Sequence, residues 1–160
     1  MEISTENYAS EDTQHGRYLT FNLGHESFGL EISYVKEIVG MQPITKLPGA
    51  PDYAKGIINL RGRIIPVVDA RMRFGMEAGE YTERTCIIVV DLRETPVGLI
   101  VDNVAEVMAI DDDNIVPTPS AGTGANHSAV KAIGKVGGDV KLLLECDHLV
   151  GAIEQIKLAN

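Results

Sequence analysis

Two stretches decide the fold when laid side by side: YLTFNLGHESFGLEISYVKEIV (residues 18–39) and IIVVDLRETPVGLIVDNVAEVM (87–108). Offset by 69 residues, they match Leu23 with Leu92, Gly29 with Gly98, Leu30 with Leu99, Val35 with Val104 and Glu37 with Glu106, and four of these pairs form the shared string GLxxxxVxE. A second offset, of 76 residues, lays KGIINLRGRIIPVVD (55–69) on KAIGKVGGDVKLLLE (131–145), matching Lys55, Ile57 and Gly62 with Lys131, Ile133 and Gly138. The extra residues of the second offset fall in PTPSAGTGANHSA (117–129), where Pro, Gly and Ser allow insertion. Spacing of this length with the apolar phase preserved predicts two structural repeats, over about 17–75 and 84–146.

Within each repeat the local pattern is that of short strands. Leu19, Phe21 and Leu23 alternate with Thr20 and Asn22, the period of a half-buried strand, and Gly24-His25-Glu26 turns the chain into a second alternating run ending at Ile32. Ile32, Val35 and Ile38 are then spaced by three, which predicts a helical turn or bulge before a strand that ends near Met41. Pro43, Pro48 and Pro51 exclude ladder pairing through the following connection. Strands resume at Gly56–Leu60 and Arg63–Val68 around a turn at Arg61-Gly62. Gly29 and Gly98 are expected early in matching second strands, where a side chain would collide with a neighbour. About five short strands per repeat favour small closed barrels, which leave no unpaired edges. The expected fold is all-β, two pseudo-repeated five-stranded β-barrels. A polar, acidic tail occupies residues 1–16, and Leu149, Ile153 and Ile156 predict a short amphipathic C-terminal helix over 147–158.

Composition bounds the partners. A formal charge of −9, from 23 acidic against 14 basic residues, repels nucleic-acid phosphates and anionic lipid. No run approaches the roughly 20 apolar residues of a membrane span, so a cytoplasmic protein without direct membrane insertion is expected. Cys86 and Cys146 each sit inside an apolar run without CxxC spacing, and read as reduced core thiols.

Candidate chemistry is sparse. His15, His25, His127 and His148 have neither helical partners nor adjacent carboxylates, and Asp111-Asp112-Asp113 lacks the spacing of a calcium loop, so no metal is expected. AGTGAN and GKVGGD lack the GK[ST] ending of a phosphate cradle; the second reads as a hairpin turn, and no cofactor is expected. No GxSxG string occurs. The remaining oddity is NLRG (59–62), where Asn59 and Arg61 interrupt an apolar hairpin. In one reading Asn59 hydrogen-bonds the local backbone and Arg61 is a solvated turn charge; in the other the guanidinium sits at a contact surface or pairs with a carboxylate such as Glu37 to shape one.

The series YLTFNLGHESFGLEISYVKEIV, KGIINLRGRIIPVVDARMRFG and CIIVVDLRETPVGLIVDNVAEVM resembles the CheW-like domain of bacterial chemotaxis coupling proteins, from about Arg17 to Val150. The resemblance implies SH3-like barrels around a shared core. It also implies a non-catalytic adaptor between the cytoplasmic tips of methyl-accepting chemoreceptors and the regulatory domain of the histidine kinase CheA. In that family the groove between the barrels receives the receptor hairpin. Carried over by motif, Val35, Glu37, Ile38, Asn59, Arg61 and Gly62 belong to the receptor-facing region, and the kinase is expected on the second barrel through residues that no string identifies. With no room for an ATP-binding domain, a free-standing adaptor is expected. An alternative of another class is an enzyme or small-ligand-binding double barrel whose site lies between the repeats.

Overall fold

A computed structural model describes residues 16–118 and 129–146; the expected acidic tail and C-terminal helix lie outside these residues, apart from Gly16. The described residues form eleven strands. The first repeat supplies β1 (Arg17–Leu23), β2 (Glu26–Glu31), β3 (Val35–Gly40), β4 (Ala54–Leu60) and β5 (Arg63–Asp69), followed by one helical turn, α1 (Ala70–Arg73). The second supplies β6 (Cys86–Leu92), β7 (Thr95–Val101), β8 (Asn103–Ala109), the short β9 (Ile115–Pro117), β10 (Val130–Val136) and β11 (Asp139–Leu144). The three-residue spacing after Ile32 resolves into both expected devices, a 3-10 turn over Ile32–Tyr34 and a bulge between Val35 and Glu37.

Strand pairing crosses the repeats. The sheet of the first barrel runs β3-β6-β7-β5-β4 and that of the second β8-β1-β2-β11-β10-β9, so each repeat lends its first hairpin to the sheet built from the later strands of the other. The exchange is symmetric in register. Phe21↔Phe28 within β1–β2 corresponds to Val90↔Val97 within β6–β7, and Phe21↔Val104 corresponds to Val90↔Val35. The parallel pair Gly29↔Leu143 corresponds to Gly98↔Val67. Even the bulges agree, at Ala54/Gly56 and at Val130/Ala132. β9 is the sixth strand of its sheet; its counterpart is the single bridge Thr45↔Ile57, matching Val116↔Ile133.

Both faces of the exchanged hairpins are buried, which accounts for the long apolar runs. Leu19, Phe21, Phe28, Leu30, Ile88, Val90, Val97 and Leu99 face a core shared by the two sheets, where the Phe21, Phe28 and Phe74 rings stack at 5.6 Å steps. Alternate residues turn into the barrels: Ile87, Val89 and Ile100 join Ile58, Leu60, Ile65 and Val67 in the first, and Tyr18 joins Ile110, Ala132 and Leu143 in the second. The two matched glycines are needed because the hairpin is packed on both sides. A Cβ on Gly98 would lie 2.7 Å from Ile87 Cγ2 and 2.8 Å from Val67 Cγ1, and one on Gly29 would lie 2.7 Å from Leu143 Cδ2.

The chain passes between the sheets at Ile32–Tyr34 and, in the second repeat, at Asp102. This second crossing is anchored. Arg71 of α1 holds the Asp102 carboxylate through Nε (2.8 Å) and Nη2 (2.5 Å), and the Gly24 N–H adds a third bond at 2.8 Å. The paired guanidinium keeps the Asp102 carboxyl below its ordinary value.

Candidate partner-binding site

The NLRG turn joins β4 to β5 with Arg61 at φ 54° and Gly62 at φ 87°, the left-handed pair of a type I′ hairpin. Asn59 Oδ1 accepts the Gly62 N–H at 2.8 Å and so braces the turn. The turn projects Arg61 to the far edge of the same sheet, where its Nη2 donates to Glu37 Oε2 on β3. Strands β3 and β4 are the two edges of the first sheet, and the ion pair therefore links them across the barrel. Glu37 is the less exposed partner, 21% against 66% for the arginine side chain, and its Oε1 is buried without a hydrogen-bond partner among the described residues.

Of the six residues picked out in the sequence, Glu37, Asn59, Arg61 and Gly62 gather around this bridge. Val35 and Ile38 are buried and pack in the shared core behind it. Both hold the β3 backbone, and Ile38 also floors the adjoining space.

That space is a cavity of about 510 Å³. Ile38 and Gly40 of β3 and Asn103, Val104 and Ala105 of β8 line it, so an edge strand from each sheet contributes. Cys86 at the start of β6 joins the two sides: its thiol takes a backbone hydrogen bond from Val104, and burial pushes its pKa up, leaving a neutral core thiol. The remaining lining is Glu83, Arg84 and Thr85 of the connector between the repeats. Sequence reasoning passed over this connector. The available signal was the pair Thr82 and Thr85, whose mutual hydrogen bonds close a turn: Thr82 N–H donates to Thr85 Oγ1 at 2.8 Å, and Thr85 N–H returns to the Thr82 carbonyl at 3.1 Å.

A second cavity, of about 330 Å³, is lined by Ile44, Lys46, Lys55, Ala78, Gly79, Tyr81 and the buried Asp69. Both carboxylate oxygens of Asp69 are occupied, one by the Met72 N–H at the start of α1 and one by the Tyr81 hydroxyl at 2.8 Å. Burial, and then the bond to Asp69, push the Tyr81 phenol far above its ordinary value. The constellation latches the connector to the body. Among the described residues no group of His, Cys, Asp and Glu is arranged to hold a metal ion, and no helix is long and apolar enough to cross a membrane.

Comparison with known proteins adds to this geometry. The family model described as the CheW-like domain matches residues 17–154. A chemotaxis protein CheW of Rhizobium meliloti is 37% identical over 150 residues, covering 93% of this chain and 97% of that protein. Its counterpart in Klebsiella aerogenes is 30% identical over 158 residues, covering 99% and 95%. Among solved structures, the scaffolding protein TtCheW from Thermoanaerobacter tengcongensis superposes with a TM-score of 0.76 at 38% identity, over 81% of this chain and 88% of that one.

Proposed function

The chain belongs to the CheW-like family, and from that premise we propose that it is a non-catalytic adaptor coupling the cytoplasmic tips of chemoreceptors to the regulatory domain of the histidine kinase CheA. The relatives are chemotaxis proteins and the superposed structure is a scaffolding protein, which supports an assembling rather than a chemical role. The observation that carries the receptor half of the reading is the cavity between β3 and β8, beside the Glu37–Arg61 bridge. It is open and partly apolar, with Glu83 and Arg84 of the connector on one wall, the character of a surface built to take another protein's helices. The receptor is assigned to this groove and the kinase to the second barrel. The protein works in the cytoplasm, held at membrane receptor arrays through protein contacts alone.

Separate titrations test both halves. Immobilised receptor-tip fragment and CheA regulatory domain should each capture the protein, and should capture it together without competition. Arg61→Glu should lose the receptor and keep the kinase, because a reversed charge within a partly desolvated contact costs several kcal/mol, roughly a hundredfold or more in affinity. Failure to bind either partner, or turnover of a small molecule retained through purification, would overturn the adaptor reading in favour of an enzyme or ligand-binding double barrel.

A further inference from the structure

The connector between the repeats contributes the one wall of the groove that no strand supplies, and it does so with charged side chains on a fixed backbone. Thr82 and Thr85 close the turn reciprocally, the Arg84 N–H adds a bond to Thr82 Oγ1 at 3.1 Å, and Thr85 is buried. Upstream, Tyr81 is fastened to the buried Asp69, and Gly79 lies against the Arg71 guanidinium so closely that a Cβ there would come within 2.7 Å of Cζ. Downstream, Cys86 enters β6. Glu83 and Arg84 are thus exposed side chains mounted on a segment pinned at both ends.

Three guanidiniums of the first repeat are engaged within the chain: Arg61 by Glu37, Arg71 by Asp102, and Arg73 over the Tyr53 ring at 5.5 Å. Arg84 makes no ion pair among the described residues, in a chain of formal charge −9. An unpaired guanidinium fork at the lip of a groove floored by Ile38, Val104 and Ala105 matches a carboxylate set next to aliphatic side chains. Resting on the adaptor reading, we propose that the Thr82–Thr85 turn is a wall of the receptor groove and that Arg84 is a specificity-determining residue, pairing with an Asp or Glu on the receptor helix that docks against Ile38 and Val104. The rigid turn allows this at low entropic cost, since only the side chain is ordered on docking.

The test titrates a helical-hairpin fragment of a chemoreceptor tip, and separately the CheA regulatory domain, against the full-length parent, Arg84→Glu and Arg84→Lys. The parent should bind both. Arg84→Glu should weaken the receptor at least tenfold and leave the kinase within twofold, with an unchanged melting temperature. Arg84→Lys should fall between parent and Arg84→Glu, because an ammonium keeps the charge and loses the fork. Reversing acidic residues of the fragment one at a time should identify one Asp→Arg or Glu→Arg change that restores binding to Arg84→Glu. If the parent binds the fragment and Arg84→Glu binds it equally well, the assignment of Arg84 is overturned while the adaptor reading stands. If the parent does not bind the fragment, both fall together. Loss of kinase binding in Arg84→Glu would also overturn it, by showing that the turn serves the other partner.

Discussion

At the positions where the first barrel buries Ile58, Leu60, Ile65, Val67, Ile87, Val89 and Ile100, the second holds Gly134, Val136, Lys141, Leu143, Tyr18, Thr20 and Glu31. The backbone register around these positions is the same. Three of the polar groups that replace aliphatic ones are partnered: Thr20 Oγ1 donates to the Glu106 carbonyl at 2.9 Å, Lys141 Nζ donates to Ser27 at 3.0 Å, and Glu31 is paired with Lys131. The hairpin tips differ in the opposite sense. The first barrel places Arg61 at a left-handed position and joins it to Glu37; the second has Gly137 there, and its Glu106 faces solvent. Register is therefore what the repeat preserves. The apolar barrel carries the charged tip, while the barrel with the glycine tip has a more polar filling.

The sharpest way to break this picture is to separate the repeats. Because β1–β2 is completed by β8 and β11, and β6–β7 by β3 and β5, neither half contains a whole sheet. Cutting after Gly79 should leave each half alone without a cooperative unfolding transition, and mixing the halves should restore one. A half that melts cooperatively by itself would show that its hairpin can fold back into its own repeat. An isolated hairpin has too little core to stand alone, which is why the expected loss is complete.

Smaller but still large effects come from the matched glycines. Gly98→Val meets two branched side chains in the tighter aliphatic interior and should cost about 3 kcal/mol, the upper end for overpacking. Gly29→Val meets mainly the terminal Cδ2 of Leu143, which can rotate, and should cost about 1 kcal/mol. Denaturant midpoints decide the order. Equal penalties would mean that the two barrels are packed alike despite their different fillings.

The offsets of 69 and 76 residues made nearly all of the register legible, since Leu30 and Leu99, Val35 and Val104, and Gly62 and Gly138 occupy equivalent places. The exchange of hairpins was not legible. Matching repeats have matching apolar phase, so a hairpin fits its own repeat and the other equally well at the level of pattern, and only the hinge geometry at Ile32–Tyr34 and Asp102 chooses between them. At the site, NLRG announced itself by placing polar groups inside an apolar hairpin; Asn59 braces the backbone, as the first of its two readings expects, and Arg61 reaches Glu37, the pairing that the second names. The connector stayed silent because TERT is short and polar, and its rigidity comes from two hydroxyls and from Tyr81 meeting a carboxylate twelve residues earlier in the chain. The burial of Val35 and Ile38 also needed the structure, as both faces of β3 carry apolar residues in the sequence.

The two crossings between sheets differ in charge, which makes one of them sensitive to pH. Arg71 lowers the Asp102 carboxyl in the folded chain, so the unfolded chain takes up this proton first as pH falls. The anchor's contribution is complete above the ordinary carboxylate value of about 4 and disappears once pH passes below the depressed folded value. Asp102→Asn should therefore be less stable than the parent at pH 6, and the gap in urea midpoint should narrow steadily as pH falls below the ordinary carboxylate value of about 4. A gap that widens toward acid would show that Asp102 does not act through the Arg71 pair. The other crossing, at the equivalent Ser33, has no carboxylate, and Ser33→Ala should show no such pH dependence.

The smallest expected change in stability separates structure from function at the tip itself. Arg61→Gly rebuilds the second barrel's turn in the first. Two opposing terms follow. The ion pair is lost, and for a side chain this exposed such a pair is worth at most about 1 kcal/mol. Against that, a non-glycine residue in the left-handed region costs about 1 kcal/mol, which glycine recovers. Glu37 is left without its partner, but it is only partly buried and can draw in water. The net change in unfolding free energy should fall within about 1 kcal/mol of zero, while affinity for the receptor fragment should drop at least tenfold. That combination would mean that an arginine is kept where the backbone prefers glycine because the groove needs its charge. A loss of more than about 2 kcal/mol, with receptor affinity falling only in proportion to the folded fraction, would instead make the Glu37–Arg61 bridge a closure of the barrel and nothing more.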